Sequence, residues 1–303
     1  MYINTFNDAM RRRFGRKMYR LSLDCGFTCP NRDGTAGTGG CIFCSGSGAG
    51  NFAGSGATLD EKIAAAKEKV KNKTDAGCGY IAYFQSFTNT YAPVETLREL
   101  FSEAIGLGDI GALSIATRPD CLPAETLALL AELNRIKPVW VELGLQTAND
   151  ETAERINRCY PTAVYDRAVG LLRKNGVEVI AHIMFGLPGE NRADMIGTVR
   201  HAAAVGMQGV KLHLTHVTEK TVLAGMYCRG EYSPLSLEEY TDILCETLEY
   251  IPRETVIHRF TGDGDKKELI APLWSGDKKR VLNYINRAFA EKDVEQGRKY
   301  CET

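Results

Sequence analysis

Hydrophobic residues along the central part of the chain follow two alternating patterns. Short, almost continuous apolar runs have the length and composition of strands buried on both faces, and they lie at about 79–85, 111–117, 139–145, 177–184 and 209–215. Between them, apolar residues recur at the spacing of one helix face, at about 58–73, 94–106, 124–135, 150–158, 163–174 and 191–205. A shorter alternating run at 21–24 predicts one further strand ahead of these.

The order of these elements predicts the fold class. Six strands that alternate with helices indicate an α/β fold with a parallel sheet covered by helices. Mostly polar residues collect where the strands end, namely Gln85, Thr117, Arg118, Gln146, Met184, His213 and His216. In parallel α/β folds this edge of the sheet carries the active site, so we expect the functional residues there.

Two further segments flank the alternating region, which spans residues 21–217. Residues 1–20 form a basic N-terminal extension, and residues 218–303 form a C-terminal extension. The latter predicts helices near 237–250 and 277–290 and a possible strand at 255–260. Because no flexible Gly/Ser-rich or Pro-rich linker precedes it, we expect the C-terminal extension to pack on the central region.

The charge balance and the hydropathy pattern argue against several classes of protein. The 303 residues include 37 lysines and arginines against 38 aspartates and glutamates, which gives a formal net charge of −1. This balance provides no overall basic field that would favour nucleic acid or an anionic membrane as a partner. We recognise no secretory signal and no apolar run of membrane-spanning length, and we therefore predict a cytoplasmic protein without a membrane partner.

Four of the ten cysteines fall within twenty residues, in a glycine-rich loop that follows the first predicted strand. Cys41 and Cys44 form the close pair by which two thiolates reach one metal centre, and Cys29 can supply a third thiolate. The glycines between them permit a backbone that folds tightly around a bulky inorganic cluster. A closed, structural zinc site that also uses Cys25 is the competing interpretation.

Five sequence blocks, in this order along the chain, resemble the radical SAM superfamily, whose members cleave S-adenosylmethionine (SAM): CPNRDGTAGTGGCIFC (29–44), AYFQSFTNTY (82–91), ATRPDCLP (116–123), VELGLQTA (141–148) and IMFGLPGE (183–190). The match is with the YhcC-like group, which is similar to the radical SAM domain of the Elongator catalytic subunit. The wide gap between Cys29 and Cys41 suits this branch, although much of the superfamily uses a shorter CxxxCxxC loop. The resemblance implies a partial (β/α)6 TIM-type barrel.

The resemblance also implies cofactors and site residues. Cys29, Cys41 and Cys44 would bind a 4Fe-4S cluster with one open iron for SAM, and an electron donor such as flavodoxin or ferredoxin would reduce it. Residues at positions that contact SAM in the family are Gln85, Ser86, Phe87, Glu142, Gln146, Arg158, Met184, Gly186, Leu187, Pro188 and Gly189. Arg158 would pair with the SAM carboxylate, with Arg155 as its nearest competitor. Arg118 and Glu142 could instead form a structural ion pair.

The predicted function is reductive cleavage of SAM to a 5′-deoxyadenosyl radical that acts on an unidentified substrate, with a small molecule and RNA both open. Cys121, which follows the third strand of the central region, is a tentative catalytic residue that could return a hydrogen atom, and a small apolar role is the simpler interpretation. The alternative function is a zinc-stabilised nucleic-acid-binding protein without catalysis. Its contact surface would be the basic N-terminus, with Arg11, Arg12, Arg13, Arg16, Lys17 and Arg20.

Overall fold

A computed structural model describes residues 2–46, 48, 53–262, 264 and 266–301. Its main sheet has seven parallel strands in the order in which they occur along the chain. These are β1 (Met18–Leu23), β2 (Gly79–Phe84), β3 (Ile110–Thr117), β4 (Val139–Gln146), β5 (Glu178–Phe185), β6 (Gly209–Leu214) and β8 (Val256–Arg259). A small antiparallel pair, β7 (Val217–Thr218) with β9 (Leu269–Ala271), lies beside it. The predicted α/β fold with parallel strands is confirmed.

Helices connect the strands and cover the outside of the curved sheet. They are α1 (Phe6–Phe14), α2 (Leu59–Val70), α3 (Val94–Gly106), α4 (Ala124–Asn134), α5 (Asp150–Arg155), α6 (Thr162–Lys174), α7 (Arg192–Val205), α8 (Val222–Cys228), α9 (Leu237–Leu248) and α10 (Lys278–Glu291). Capping residues define several starts: Thr58 and Glu61 form a capping box at α2, and Asn191 and Asp194 form one at α7. Among the described helices, none combines the length and apolar composition needed to cross a membrane.

The structure differs from the predicted elements at both edges of the sheet. The first strand begins at Met18, inside the predicted N-terminal extension, and the predicted C-terminal extension supplies β8 as a seventh strand. Both edge strands carry charged or polar residues in place of a continuous apolar run, with Arg20 in β1 and His258 and Arg259 in β8. The hydrophobic pattern therefore indicates these strands only in part.

Two sets of apolar residues enclose the sheet. The larger fills the space between the strands and the outer helices, and includes Phe84, Phe101, Phe185 and Tyr240. A smaller cluster lies inside the curved sheet beneath α1 and consists of Ala9, Met10, Met18, Ile81, Ala112, Trp140 and Ile180, with Phe6, Phe14 and Val256 packed against it. Helix α1 contacts both edge strands, β1 and β8. It thus bridges the gap that an incomplete barrel leaves between them.

The segment before α1 is attached to the end of the chain. The backbone N–H of Asn4 donates to Gln296 Oε1 over 2.8 Å, and the Asn4 side chain donates to the carbonyl of Glu254, also over 2.8 Å. Asn4 O in turn accepts a hydrogen bond from the N–H of Ile257 in β8. Gln296 is completely buried, and its amide also donates to the carbonyls of Pro252 and Thr255. These bonds fix α1 against the last strand of the sheet.

Candidate active site

A cavity of about 910 Å³ lies inside the curved sheet, and all seven strands and the cysteine loop contribute to its lining. This size is at the upper end of the range for small-ligand sites, roughly 300–1,000 Å³. Eight of the predicted site residues line it: Cys29, Cys41, Cys44, Gln85, Phe87, Glu142, Gln146 and Met184. Thr117, Arg118, His213 and His216 from the predicted carboxyl edge line it as well. The residues predicted at the carboxyl edge of the sheet thus share one cavity.

The three predicted cluster cysteines share this cavity, whereas Cys25 does not line it. Cys25 packs instead against the core between the sheet and its helices. Burial raises the pKa of the Cys41 thiol to about 12, and the neighbouring Cys44 and Cys29 add to the shift. Burial also raises the pKa of Cys44. Three thiols beside a large cavity, with the fourth turned away, suit a metal cluster that keeps one open position.

Within the described part of the chain, no group of three or more histidine, cysteine, aspartate and glutamate side chains meets the spacing of a site for a single metal ion. An iron-sulfur cluster is several ångströms across and takes its thiolates on different irons, so its ligands stand further apart than those of one ion.

The cysteine loop is held in place by residues that follow α5. Asn157 donates from its side-chain amide to the carbonyls of Gly40 and Thr38, over 2.8 and 3.1 Å, and Ile42 N–H donates to Ile156 O over 3.1 Å. Gly37 is required by a close approach in the same loop, since a Cβ there would lie 2.3 Å from Asn31 Oδ1. These contacts hold the cysteine loop against the residues that follow α5.

An arginine inside the loop joins it to the predicted SAM-binding segment. Arg32 donates to the carbonyls of Cys44 and Ser45, over 3.0 and 2.6 Å, and its guanidinium lies over the Phe87 ring at 4.8 Å from the centroid. The charge and aromatic face attract each other. The cysteine loop and the loop that follows β2 are therefore fixed relative to one another, as a cofactor bound by both would require.

Strained backbone marks the ends of β2 and β4. Ser86, Phe87 and Gln146 have φ values of 88°, 59° and 60°, although none of them is glycine. Such conformations are disfavoured by about 1–3 kcal/mol each and concentrate at functional sites. Next to them, Thr88 lines the cavity and is 1% exposed, yet its hydroxyl has no hydrogen-bond partner among the described residues. Thr88 lies within the block at 82–91 but was not among the residues predicted to contact SAM.

Arg158 does not occupy the place predicted for it. It is completely buried, does not line the cavity, and all five of its N–H donors are used within the chain. The acceptors are the carbonyls of Leu145, Thr147 and Tyr160, the Asp150 carboxylate and the Thr162 hydroxyl. The geometry therefore favours a structural arginine over a partner for the SAM carboxylate. Arg155 is exposed and donates to Pro188 O over 3.0 Å.

Arg118 is the arginine that lines the cavity near the cysteines. Its guanidinium forms a two-point contact with Asp120, at 2.9 and 2.6 Å, and donates to the carbonyl of Arg158 over 3.0 Å. Burial alone would lower its pKa, but hydrogen bonding and the charge of Asp120 raise it overall. The expected Arg118–Glu142 ion pair is wrong, because Glu142 has other partners.

The block at 183–190 reaches the cavity only through Met184. Gly186, Pro188 and Gly189 do not line it: Tyr232 donates to Gly186 O over 2.7 Å and Arg155 to Pro188 O. Leu187 is 2% exposed and belongs to an apolar cluster with Ile42 of the cysteine loop and Ile156. This block packs against the cysteine loop, so the structure does not favour the predicted SAM contact for Gly186, Leu187, Pro188 and Gly189. Ser86 is buried and likewise lies outside the lining.

Glu142, predicted to contact SAM, is the centre of a buried polar layer inside the sheet. One carboxylate oxygen accepts from Ser114 Oγ over 2.7 Å, and the other contacts His182 Nε2 over 2.7 Å and the Lys211 ammonium. Lys211 also donates to Tyr83 over 3.1 Å. Burial would raise the pKa of Glu142, but the charge of Lys211 and the His182 hydrogen bond hold it well below its usual range. Its oxygens are therefore occupied by strand residues.

Sequence patterns missed the other members of this layer. Tyr83, His182 and Lys211 all line the cavity, and they lie in the middle of strands β2, β5 and β6. The sequence feature that could have revealed them is a charged residue in an otherwise apolar strand, such as Lys211 in GVKLHL. Buried charges are retained where they are paired or functional, so a lysine in the middle of an apolar strand indicates a candidate site residue.

Cys121 is 7% exposed and is not among the residues that line the cavity. Burial and the adjacent Asp120 raise its pKa to about 12, so the thiol stays protonated. We therefore expect Cys121→Ser to keep both the cluster and SAM cleavage. The check is visible absorption and 5′-deoxyadenosine yield beside the wild type, followed by product formation once a substrate is known. Normal turnover would leave Cys121 as a small packed residue, and lost product with intact SAM cleavage would restore its tentative catalytic role.

Several basic residues of the N-terminus, the contact surface of the alternative function, are paired within the chain. Arg13 forms a two-point contact with Glu178, Lys17 pairs with Asp75, and Arg12 donates to the Asn4 side chain. Arg20 lies inside the sheet and lines the cavity. Arg11, Arg12, Arg13 and Arg16 are exposed, but the neighbouring carboxylates Asp8, Glu178 and Asp75 offset part of the positive charge that a phosphate backbone would meet.

Comparisons with known proteins agree with this geometry. The family model described as Radical SAM superfamily matches residues 31–202, and the Radical_SAM C-terminal domain matches residues 207–291. The protein YtqA of Bacillus subtilis (strain 168) is 45% identical over 298 residues, which cover 97% of this chain and 92% of YtqA. The protein YhcC of Escherichia coli (strain K12) is 36% identical over 294 residues, covering 97% of this chain and 94% of YhcC.

Among solved structures, archaeal Methanocaldococcus infernus Elp3 with an N-terminal deletion has the same fold. It superimposes with a TM-score of 0.69 at 16% identity, covering 92% of this chain and 64% of the Elp3 chain. The sheet thus corresponds to the partial TIM-type barrel that the resemblance implied. From the family match over more than half of its length and from its relatives, the chain belongs to the radical SAM superfamily, and its resemblance to the YhcC-like group is confirmed.

Proposed function

We propose that this protein reductively cleaves SAM at a 4Fe-4S cluster bound by Cys29, Cys41 and Cys44. The observation that carries the proposal is the location of all three thiols in one cavity inside a radical SAM barrel, with Cys25 packed elsewhere. When bound, the cluster supplies the electron that splits SAM into methionine and a 5′-deoxyadenosyl radical, which then attacks a substrate. The protein contributes binding, orientation and protection of that chemistry.

The residues that would hold SAM line the cavity beside the cysteines. Gln85, Phe87 and Thr88 follow β2, and Gln146 ends β4. Gln146 already accepts a hydrogen bond from the Tyr160 hydroxyl over 3.1 Å, which leaves its amide N–H groups for a ligand. Met184 offers an apolar surface for the adenine. Arg118 provides a fixed positive charge near the cluster and replaces Arg158 as the proposed partner of the SAM carboxylate.

An electron donor such as flavodoxin or ferredoxin is the partner that this proposal requires. The cysteine loop follows β1 at the carboxyl edge of the sheet, where a docked donor would be near the cluster.

The proposal is tested by purifying the protein without oxygen and reconstituting it with iron and sulfide. We expect a brown protein with about four iron and four sulfide per chain, as a 4Fe-4S cluster contains, and 5′-deoxyadenosine after reduction with dithionite in the presence of SAM. A colourless protein with a single zinc would instead support the structural metal site. A brown protein that binds SAM but yields no 5′-deoxyadenosine would contradict the catalytic part.

A further inference from the structure

The side chain of Asn31 lies between the cysteine loop and the residues that follow α5. Asn31 comes two residues after Cys29 and is completely buried, yet it does not line the cavity. It is therefore not placed to contact SAM or a substrate directly. Buried amide groups make hydrogen bonds, so the partners of this side chain indicate what it does.

The Asn31 amide nitrogen donates to a cysteine that the proposed function assigns to the cluster. Nδ2 lies 3.8 Å from Cys41 Sγ, a separation that suits sulfur because sulfur is a larger acceptor atom than oxygen. The same nitrogen donates to the carbonyl of Asn157 over 2.5 Å. An amide NH2 group has two hydrogens, so it serves both acceptors at once.

Two neighbours determine which end of the amide faces Cys41. The carbonyl of Asn157 only accepts hydrogen bonds, so the nitrogen of the Asn31 amide, and not its oxygen, must face it. The amide oxygen accepts a hydrogen bond from the Cys159 thiol over 3.0 Å. A reversed amide would place two oxygens in contact, which is unfavourable. The N–H of Asn31 is therefore directed at the Cys41 sulfur.

The backbone also holds Asn31 and Cys41 in this relation. Gly40, which directly precedes Cys41, donates from its N–H to Asn31 O over 2.8 Å. Gly37 permits the close packing around the amide oxygen, since a Cβ on Gly37 would also lie 2.7 Å from Cys159 Sγ. Asn31 and Cys41 are thus joined by hydrogen bonds of both the backbone and the side chain.

A hydrogen bond to a ligand sulfur acts on the reduction potential of an iron-sulfur cluster. The reduced state carries one more negative charge than the oxidised state, and the cysteine sulfurs share that charge. An N–H donor stabilises the more negative state more strongly, so it raises the potential. The interaction is stronger in a buried site than in water, because the local dielectric constant is low.

We infer that Asn31 is a positioning residue that donates a hydrogen bond to the Cys41 sulfur and raises the reduction potential of the cluster. This inference rests on the proposed function, which assigns Cys41 to the cluster. A higher potential makes the one-electron reduction by a donor such as flavodoxin or ferredoxin easier. The electron comes from that donor, and Asn31 itself is neither oxidised nor reduced.

The test is a redox titration of the reconstituted protein without SAM, followed by the electron paramagnetic resonance signal of the reduced cluster. Asn31→Leu branches at the same side-chain atom and removes the donor, while all three cysteines remain. We expect full cluster content and a lower midpoint potential than in the wild type. The expected change in the ratio of reduced to oxidised cluster is about tenfold at a given potential, or about 59 mV for a one-electron couple.

Asn157→Gly is the matched control, because it loosens the same loop and leaves the contact with the Cys41 sulfur in place. It removes the side-chain hydrogen bonds to the carbonyls of Gly40 and Thr38 and keeps the backbone carbonyl that Asn31 uses. Glycine also suits the φ of 54° at this position. We expect lower stability in urea and less than about a twofold change in the redox ratio. An equal fall in potential in Asn157→Gly and Asn31→Leu overturns the inference.

A second variant and a measurement on the wild type cover the case in which Asn31→Leu does not fold. Asn31→Asp keeps the size of the side chain and replaces the donating nitrogen by an oxygen, so it should lower the potential at least as far. In wild-type protein with 15N-labelled asparagine side chains, pulsed electron paramagnetic resonance of the reduced cluster should show a coupling to 15N. Absence of this coupling in the wild type contradicts the inference.

The outcomes separate this inference from the proposed function. A cluster with the same potential in the wild type and in both Asn31 variants overturns the inference and leaves the cluster ligands unchanged. A brown protein that shows the expected shift but yields no 5′-deoxyadenosine supports the inference and contradicts the catalytic part of the proposed function. A wild-type protein that takes up no cluster contradicts both.

Discussion

Alanine at Cys29, Cys41 or Cys44 should each remove the visible absorption of the iron-sulfur cluster and reduce SAM cleavage to background. All three thiols line the cavity beside the proposed SAM site, and each alanine removes one of the three protein ligands that the proposal gives to the cluster. Cys25→Ala is the matched control, from the same loop and with the same change. Because Cys25 packs against the outer core, we expect it to cost some stability and to leave the cluster intact.

The measurements are iron content, absorption near the cluster bands and 5′-deoxyadenosine yield for the four variants prepared side by side. Unfolding by urea should be followed in parallel, so that loss of the cluster is not confused with loss of the fold. A Cys25→Ala protein without a cluster would revive the closed four-cysteine site. A Cys44→Ala protein that keeps its full cluster content would show that Cys44 is not a ligand of the cluster.

Arg158→Met should destabilise the fold by about 3–5 kcal/mol, the range found when one partner of a buried ionic network is removed. The completely buried guanidinium donates to three backbone carbonyls, a carboxylate and a hydroxyl, and methionine supplies no donor to any of them. Arg155→Met is the control, three residues away and exposed, with one hydrogen bond to Pro188 O. It should change stability by less than about 1 kcal/mol.

Urea unfolding of the cluster-free proteins measures this difference, and SAM binding by the folded variants gives the second readout. If Arg158→Met unfolds at the same urea concentration as the wild type but loses SAM affinity, the arginine binds the SAM carboxylate as the sequence motif predicted. The expected pattern is the reverse: lower stability for Arg158→Met, and a loss of SAM affinity for a variant of Arg118.

The sequence predicted the central strands well because parallel strands buried on both faces are apolar throughout. Strand β4, with Val139, Val141 and Leu143, is an example, and its bounds agree with the prediction to one residue. The edge strands β1 and β8 contribute charged side chains to the barrel interior, and Arg20 and Arg259 interrupt the pattern that marks a strand. Prediction from hydrophobic periodicity therefore misses strands whose inward-facing residues are charged.

The cysteines were predictable because a metal ligand must be a particular residue type at a particular spacing. The residues that contact SAM were harder to predict, because a sequence motif fixes the position of the backbone and not the direction of a side chain. Arg158 turns into its own loop, while Arg118 and Thr88 reach the cavity. The polar layer around Glu142 was not predicted because its members are far apart in sequence, 128 positions for the hydrogen bond between Lys211 and Tyr83, and only the folded sheet brings them together.

The hydrogen bond between Asn4 and Gln296 joins residues 292 positions apart. During translation the amino-terminal part of a chain emerges first, so α1 lacks this attachment until residue 296 has left the ribosome. Loop closure over so long a segment is also entropically expensive, which makes the contact a late event in refolding. The cavity wall formed by Phe6 and Asn7 is accordingly completed after the central strands have assembled. A nascent barrel therefore leaves Arg20 without the fixed cover of the Phe6 ring until residue 296 has been synthesised.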